Sequence, residues 1–479
     1  MGGVSVVNVL IGLVRTKVAA LILGPAGVGL VGLFHNLIQT GATVVSFGIG
    51  NVGTRQVAEA SEDPRATAVA RRSIVFAAAV LGLVGALLLF VLRHLVAEVV
   101  LGDRGRASEV GWLALGVLLL VGAAAQNGIL TGLRQIGTLA RVSVLSALAG
   151  TIAGIAALLA WRERGVLAFV LLSPLATVLV GAWYLRQTPN RTGLIKLPDM
   201  RAQWSLLMRL GLAFTLGSLA GTASQLAVRG MVQRQLGPDA LGHFQAAWSI
   251  SLNYIAFVLT AMASDYYPRL TAAMRDRAEA VRAINHQAEV ALLLAGPLLV
   301  GTVAASPWVL RLLYSASFLP AVDLLRWQIC GDFLKIASWP LGFVLLAAGR
   351  GKTFVAVESM GALVLVGVTA VALPLIGLPA PGVAYVTMYL VYLTAVLMLA
   401  RQSIGFRLSG ETLRVFVAVG GSLLLTLAAL ALSPGTGSAL GLLLAMLLAV
   451  FAVRRLHDSL PAPLAEWLRR VPGLAPAKN

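Results

Sequence analysis

Two apolar stretches decide the fold of this chain: LVRTKVAALILGPAGVG at residues 13–29 and RGMVQRQLGPDALG at residues 229–242. Both lead to the same Leu-Gly-Pro turn, 213 residues apart. Residues spaced three or four apart share one helix face. The chain is therefore predicted to hold two copies of one membrane unit, each with an arginine on a polar face. These faces consist of Ser5, Asn8, Gly12 and Arg15 in the first copy, and Ser218, Thr222, Gln225 and Arg229 in the second.

Polar stripes also follow both turns. Polar side chains in a membrane helix are costly, and they usually face a protein interior or a water-filled cavity. The stripes are therefore predicted to face inward. They consist of Asn36, Gln39, Thr43 and Ser46 after the first turn, and of Ser249, Asn253 and Thr260 after the second.

Composition places the whole chain in the membrane. Of its 479 residues, 58% are hydrophobic and 12% are charged, with a mean hydropathy of +0.88, whereas soluble domains carry about 25% charge. The apolar segments have helix length, so the fold class is an all-α polytopic membrane protein with about fourteen spans. The predicted spans are 3–23, 27–53, 72–93, 110–133, 138–160, 165–186, 205–235, 240–263, 286–313, 322–348, 354–375, 381–403, 413–432 and 436–453.

The distribution of cations predicts the orientation. With the N-terminus in the cytoplasm, cytoplasmic segments carry 25 of the 37 Lys and Arg residues and the opposite loops carry 7. Because cytoplasmic loops are enriched in Lys and Arg, both termini are predicted to be cytoplasmic. The net charge of +18 is assigned to these loops facing anionic lipids, not to nucleic-acid binding.

The repeat extends over twelve spans. The Gly-Val pairs at 165–166 and 382–383 are 217 residues apart, as are the glycines at 132 and 349. The predicted domains are an N-lobe of six helices (1–186), a cytoplasmic linker (187–204), a C-lobe of six helices (205–404) and a C-terminal helix pair with its tail (405–479). Parallel repeats of this kind are related by an axis along the membrane normal.

Three of these segments resemble bacterial O-antigen flippases, in the polysaccharide-transporter branch of the multidrug/oligosaccharidyl-lipid/polysaccharide exporter superfamily. They are LVRTKVAALILGP at 13–25, GTRQVAE at 53–59 and, most specifically, SDYYPRL at 264–270. The resemblance covers about residues 1–405 and implies two six-helix lobes around a central cavity in the bacterial inner membrane.

The resemblance also implies an activity and partners. The substrate would be an oligosaccharide linked to undecaprenyl pyrophosphate, moved to the periplasmic leaflet, and the partners would be membrane lipids, a polysaccharide polymerase and other assembly proteins. Arg15 matches a cavity arginine of the related lipid II flippases. The second span has Asn36 and Gln39 instead of an arginine, and the terminal helix pair departs from the commoner twelve-span pattern.

A pyrophosphate substrate needs cations, so Arg15, Lys17 and Arg229 are the candidate anion ligands. The alternative is that such side chains extend to the membrane surface and do nothing more. Asn36, Gln39, Gln225 and Asn253 are candidate sugar contacts, with hydrogen bonding between helices as the alternative.

Candidates for gating or ion coupling are Asp265, Asp332, Lys335 and Glu358. Asp332 and Lys335 are three residues apart on one helix face and would alternatively pair with each other. The alternative for Asp265 is a cap on the turn after its helix, and for Glu358 a solvated position near the cytoplasmic face. His35 and His243 are interpreted as packing residues.

The sequence holds no motif for a phosphate-binding loop, a catalytic triad or a metal cluster, so we expect neither enzyme activity nor a cofactor. Two other functions compete with the flippase. A cation exporter of the same fold would favour acidic cavity residues, whereas a glycan polymerase or ligase would need a large extracytoplasmic loop. The longest such loop predicted here, about 94–109, is short.

Overall fold

The computed structural model describes residues 2–188 and 197–456, except for the side chains of residues 197–214, 216, 217, 253–258, 260, 261 and 263–265. Throughout these residues the regular structure is helical. The α-helices are α1 (Gly2–Ser46), α2 (Ile49–Glu59), α3 (Pro64–Val91), α4 (Arg93–Val96), α5 (Ala107–Gly132), α6 (Ile136–Trp161), α7 (Val166–Gln187), α8 (Leu197–Leu236), α9 (Pro238–Ala273), α10 (Arg277–Leu313), α11 (Val322–Ala347), α12 (Gly351–Ile376), α13 (Ala380–Ile404), α14 (Gly410–Leu432) and α15 (Pro434–Leu456).

The lengths of these helices confirm the predicted fold class. Ten helical segments among the described residues are long and apolar enough to cross a membrane. Two of them, Gly3–Ser46 with 44 residues and Ile136–Gln187 with 52, hold two crossings each, since about 20 residues suffice for one. Adding α8 (40 residues) and α9 (36 residues) gives the fourteen crossings expected.

The exterior of the described chain is apolar, and some polar side chains are buried inside it. Large apolar side chains face outward, such as Leu432, which is 88% exposed, while Gln328 and Thr369 are fully buried. Outward apolar and inward polar side chains are what a hydrocarbon environment selects. The fold therefore combines an apolar exterior with a largely apolar interior that also holds buried polar groups.

Two predictions about helix ends are wrong, one on where a span ends and one on which residue caps a helix. The second span was expected to run to residue 53, but Phe47 and Gly48 both have positive φ (44° and 57°) and separate α1 from α2. The alternative role of Asp265 as a cap is also wrong, because α9 continues through Pro268 to Ala273. The side chain of Asp265 lies outside the described residues.

The described chain divides into two compact units. Unit 1 comprises residues 1–246 with 313–318, and unit 2 comprises 247–312 with 319–479. In unit 1, α3 and α2 pack on α5, α6 packs on α7, and α1 contacts α8. In unit 2, α13 packs on α11 and α12, and α14 packs on α15. The predicted lobe boundaries remain predictions; α8, the first helix of the second repeat, lies in unit 1.

Candidate functional site

The two Leu-Gly-Pro turns lie against each other in unit 1. Gly24 and Gly237 both have positive φ (65° and 87°), a conformation that glycine adopts at little cost. A Cβ added at Gly29 would lie 2.6 Å from the backbone nitrogen of Gly242, and one at Gly242 would overlap the carbonyl of Pro25. The matching glycines of the two repeats thus let their backbones approach closely.

Three basic side chains lie at similar distances from these turns along their helices. Arg15 lies nine residues before Gly24, Arg229 eight before Gly237, and His35 eleven after Gly24. At 1.5 Å per residue, all three lie roughly 12–17 Å from the turns along their helices.

Arg15 is held inside unit 1 by α7. Its guanidinium donates to the backbone carbonyl of Phe169 at 2.7 Å, and its Cζ lies 4.3 Å from the centroid of the Phe169 ring. These contacts differ from the extended path to the surface that the alternative interpretation requires. Phe169 is three residues inside the start of α7, so Arg15 lies in the half of the unit that is predicted to be periplasmic.

Arg229 is more deeply buried, with 4% of its surface exposed. Its Nε donates to Oε1 of Gln245 at 3.3 Å, and its Nη1 donates to the carbonyl of Gln225 at 3.2 Å. The guanidinium also lies 5.4 Å from the centroid of the Phe244 ring. In this conformation the Arg229 guanidinium is buried beneath the protein surface, and it contributes its positive charge without being exposed.

His35 completes the arrangement. Its side chain is accessible although protein atoms surround it closely, and it interacts electrostatically with both Arg15 and Arg229. We call Arg15, His35 and Arg229 the basic cluster. The cluster is drawn from α1 and α8, the first helices of the two repeats, and it suits a ligand with several negative charges.

The remaining candidates in unit 1 are placed differently. Lys17 donates from Nζ to the carbonyl of Tyr314 at 2.5 Å, which gives it a partner outside the basic cluster. Asn36 is 7% exposed and its Oδ1 has no hydrogen-bond partner among the described residues. Gln39 is exposed, and Gln225 is half-buried. The side chain of Asn253 lies outside the described residues.

Unit 2 contains a second polar group, centred on Asp332. This fully buried carboxylate accepts hydrogen bonds from Ser251 Oγ to Oδ2 at 2.7 Å and from the Tyr385 hydroxyl to Oδ1 at 3.0 Å. The Tyr385 ring packs edge-on against Trp248, with the centroids 5.4 Å apart. Two hydroxyl donors therefore stabilise a negative charge in an apolar setting.

The other predicted coupling residues join Asp332 through α13. Lys335 Nζ lies 5.8 Å from the centroid of the Tyr389 ring, and Lys335 interacts electrostatically with Tyr389, Asp332 and Glu358. The Tyr392 hydroxyl donates to Glu358 Oε1 at 2.9 Å. We call Asp332, Lys335 and Glu358 with the three tyrosines, Tyr385, Tyr389 and Tyr392, the carboxylate cluster. Glu358 is half-buried and has this hydroxyl partner, and its coupling role stays a prediction beside the solvated alternative.

Sequence reasoning missed four of these side chains. The three tyrosines are spaced four and three apart, so periodicity on one helix face could have identified them. His35 lies one turn before Gln39, but its apolar neighbours favoured a packing role. His243 does have such a role, since its Nε2 lies 2.9 Å from the carbonyl oxygen of Ser317.

The chain has recognisable relatives among known proteins. A profile described as polysaccharide biosynthesis protein matches residues 2–274. The lipid III flippase of Escherichia coli K12 is 25% identical over 401 residues, covering 81% of this chain and 93% of that protein, and the Shigella flexneri protein of that name gives the same values.

Two solved structures share the fold. The lipid II flippase MurJ in an inward closed conformation aligns with a TM-score of 0.72 at 12% identity, covering 95% of this chain and 99% of that one. An inward-facing multidrug resistance MATE transporter of the MOP superfamily aligns with a TM-score of 0.66 at 20% identity, covering 83% and 94%.

Proposed function

Because the chain belongs to the polysaccharide biosynthesis protein family, we propose that it is a flippase for a lipid-linked oligosaccharide. The substrate is an O-antigen or similar surface polysaccharide unit on undecaprenyl pyrophosphate. It moves from the cytoplasmic to the periplasmic leaflet of a bacterial inner membrane, in which both termini face the cytoplasm. The protein acts as a transporter and not as an enzyme, and it hands its product to a polymerase and other assembly proteins.

The observation that carries this proposal is the basic cluster. Its described contacts are a backbone carbonyl and an aromatic ring for Arg15, and an amide oxygen and a carbonyl for Arg229. A pyrophosphate offers acceptor oxygens to such donors, and guanidinium binds phosphate in a bidentate manner. Charge-assisted bonds of this kind are strengthened where water is excluded.

The members of the cluster have different roles in binding. Arg15 and the accessible His35 contact the anion directly, while the buried Arg229 attracts it electrostatically without direct contact. Direct contact by Arg229 requires it to release Gln245, a neutral partner. Asn36, with an unpartnered Oδ1, and Gln39, which is exposed, supply hydrogen bonds for the sugars, and Gln225 and Asn253 extend this polar wall.

The carboxylate cluster suits a coupling role. Asp332 and Glu358 can each take up a proton or a cation, and Lys335 interacts electrostatically with both. A change in one charge alters the energy of the other two, which is the property a coupled transporter needs. Asp265 lies eight residues before the end of α9, and we assign it to gating.

The alternative function is export of multidrug-type cations. The lipid III flippase relative favours a lipid-linked substrate. The positive charge of the basic cluster favours an anionic one, because it would repel a cationic drug. The MATE and MurJ similarities support the fold that both functions share.

Reconstitution tests the proposal. Proteoliposomes loaded with a fluorescent undecaprenyl-pyrophosphate oligosaccharide would report flipping through quencher accessibility. We expect Arg15→Ala and Arg229→Ala to slow flipping about tenfold or more, because each removes charge-assisted bonds of about 1.5–3 kcal/mol. The exposed Arg234 on the same helix as Arg229 gives the matched control, Arg234→Ala. Wild-type rates in both cluster variants would refute the assignment.

A further inference from the structure

The SDYYPRL segment builds one wall of a cavity that the transport site does not use. Tyr266 and Arg269 are three residues apart on α9 and share a helix face. The Tyr266 hydroxyl donates to the carbonyl of Pro340 at 2.9 Å, and its ring packs against Trp339 and Phe343, with centroid separations of 5.7 and 5.9 Å. Tyr266 is therefore fixed as a rigid side of the cavity.

The opposite wall comes from α10. Asp276 Oδ1 accepts a hydrogen bond from the backbone nitrogen of Ala278 at 2.8 Å just where α10 begins, which orients the returning helix. Glu279, Ala283, His286 and Gln287 then recur at the spacing of one helix face. The cavity between the two walls opens to the surface and measures about 310 Å³.

Small residues keep this space open. Three alanines, Ala272, Ala273 and Ala283, line it where larger side chains would fill it. Because one water occupies about 30 Å³ in the liquid, the cavity has room for a small organic molecule and not merely for a single ion.

An unused donor points to the ligand. Gln287 is 5% exposed, and its Nε2 has no hydrogen-bond partner among the described residues. A buried amide without a partner is costly, so the position favours an incoming acceptor. Arg269 and His286 line the same cavity and also offer N–H donors, whereas Glu279 places one acceptor at the rim.

We propose that this cavity binds a phosphate ester. The phosphate oxygens accept hydrogen bonds from Arg269, His286 and Gln287, and a hydroxyl or ammonium group on the same ligand donates to Glu279. Such a ligand is either a phospholipid head group or a soluble phosphate ester. The cavity lies at the predicted cytoplasmic end of α9 and α10, where both sources are present. The site is independent of the transport activity proposed above.

The test uses the full-length protein in phosphatidylcholine nanodiscs. One arm titrates glycerol 3-phosphate by calorimetry, and the other adds phosphatidylglycerol to the nanodiscs and measures retained lipid by native mass spectrometry. We expect Arg269→Gln and Ala283→Leu to weaken binding about tenfold in the arm that reports the ligand. Arg275→Gln is the control, since Arg275 is exposed on the same connection but does not line the cavity.

Gln287→Leu keeps the test decisive if a cavity-filling variant misfolds. It removes the unpartnered donor, so we expect weaker binding while the unfolding temperature of the ligand-free protein is unchanged or higher. Binding in the first arm identifies a soluble ester, and binding only in the second identifies a lipid head group. Binding in neither arm, or equal loss in Arg275→Gln and Arg269→Gln, would overturn the proposal.

Discussion

Replacing Asp332 by asparagine separates the charge of the carboxylate cluster from its shape. Both oxygens of Asp332 accept hydroxyl hydrogen bonds, at 2.7 Å from Ser251 and 3.0 Å from Tyr385. An asparagine has nearly the same volume, and the hydroxyls can rotate to donate to its oxygen and accept from its nitrogen. The variant therefore keeps the hydrogen bonds and loses the charge.

The cost follows from these two bonds. Hydrogen bonds to charged groups contribute about 1.5–3 kcal/mol and neutral ones about 0.5–1.5 kcal/mol, so the difference is about 1 kcal/mol for each bond. Two bonds give about 2 kcal/mol, to which the lost attraction to Lys335 adds. For a unit of this size, that corresponds to an unfolding temperature lower by about 4–8 °C.

The same change tests ion coupling. If Asp332 takes up the coupling proton or cation, the neutral variant should flip the lipid-linked glycan at the same rate with or without an ion gradient. The wild-type protein should flip it faster when the gradient is imposed. The assay measures quencher accessibility of a fluorescent lipid-linked glycan in vesicles, with the ion composition varied on one side.

Asp323→Asn provides the matched control on the same helix. The Asp323 side chain is 70% exposed and pairs with Arg326 at 3.2 Å, away from the carboxylate cluster. This variant should keep both the unfolding temperature and the gradient response. An Asp332→Asn protein that still responds to the gradient like the wild type would refute the coupling role, whatever its stability.

Two further predictions concern the repeat and the orientation. Gly242→Ala should lower both the unfolding temperature and the yield of folded protein, because the new methyl group overlaps the carbonyl of Pro25, whereas Gly221→Ala has open space and should not; equal thermal unfolding of the two variants would contradict the close approach of the turns. Cysteines at the exposed positions Ser61 and Ser108 should react with membrane-impermeant maleimides from the cytoplasm and from the periplasm, respectively, and labelling of both from one side would exclude the predicted topology.

The repeated turn was the most predictive part of the sequence. Gly24 and Gly237 were recognised from the letters alone, and the structure explains them by positive φ at both positions. The fold class and the resemblance to polysaccharide transporters are likewise confirmed. The sequence could not show that the two turns touch, because Gly29 and Gly242 lie 213 positions apart and meet only in the folded chain.

Side-chain direction accounts for the less predictable part of the site. A helix-face argument placed Arg229 and Gln225 together, and the structure does bring them together, but through the backbone carbonyl of Gln225. Asp332 and Lys335 were recognised from spacing alone, whereas their tyrosine partners come from α13, about fifty residues further along the chain. Local periodicity identifies a face of one helix, and the partner of that face depends on tertiary packing.

The basic cluster and the carboxylate cluster relate differently to the two sequence repeats. The basic cluster joins α1 to α8, the equivalent first helices of the two repeats, although Arg15 and Arg229 lie nine and eight residues before their Leu-Gly-Pro glycines and so occupy neighbouring positions of the repeat. The carboxylate cluster joins α11, α12 and α13, and the matching segments of the first repeat supply no comparable set of acids. The repeat therefore accounts for one arginine in the first helix of each copy, whereas the acids are present in one copy only. A transporter that couples one anionic substrate to one ion, as proposed above, needs only one such set of acids.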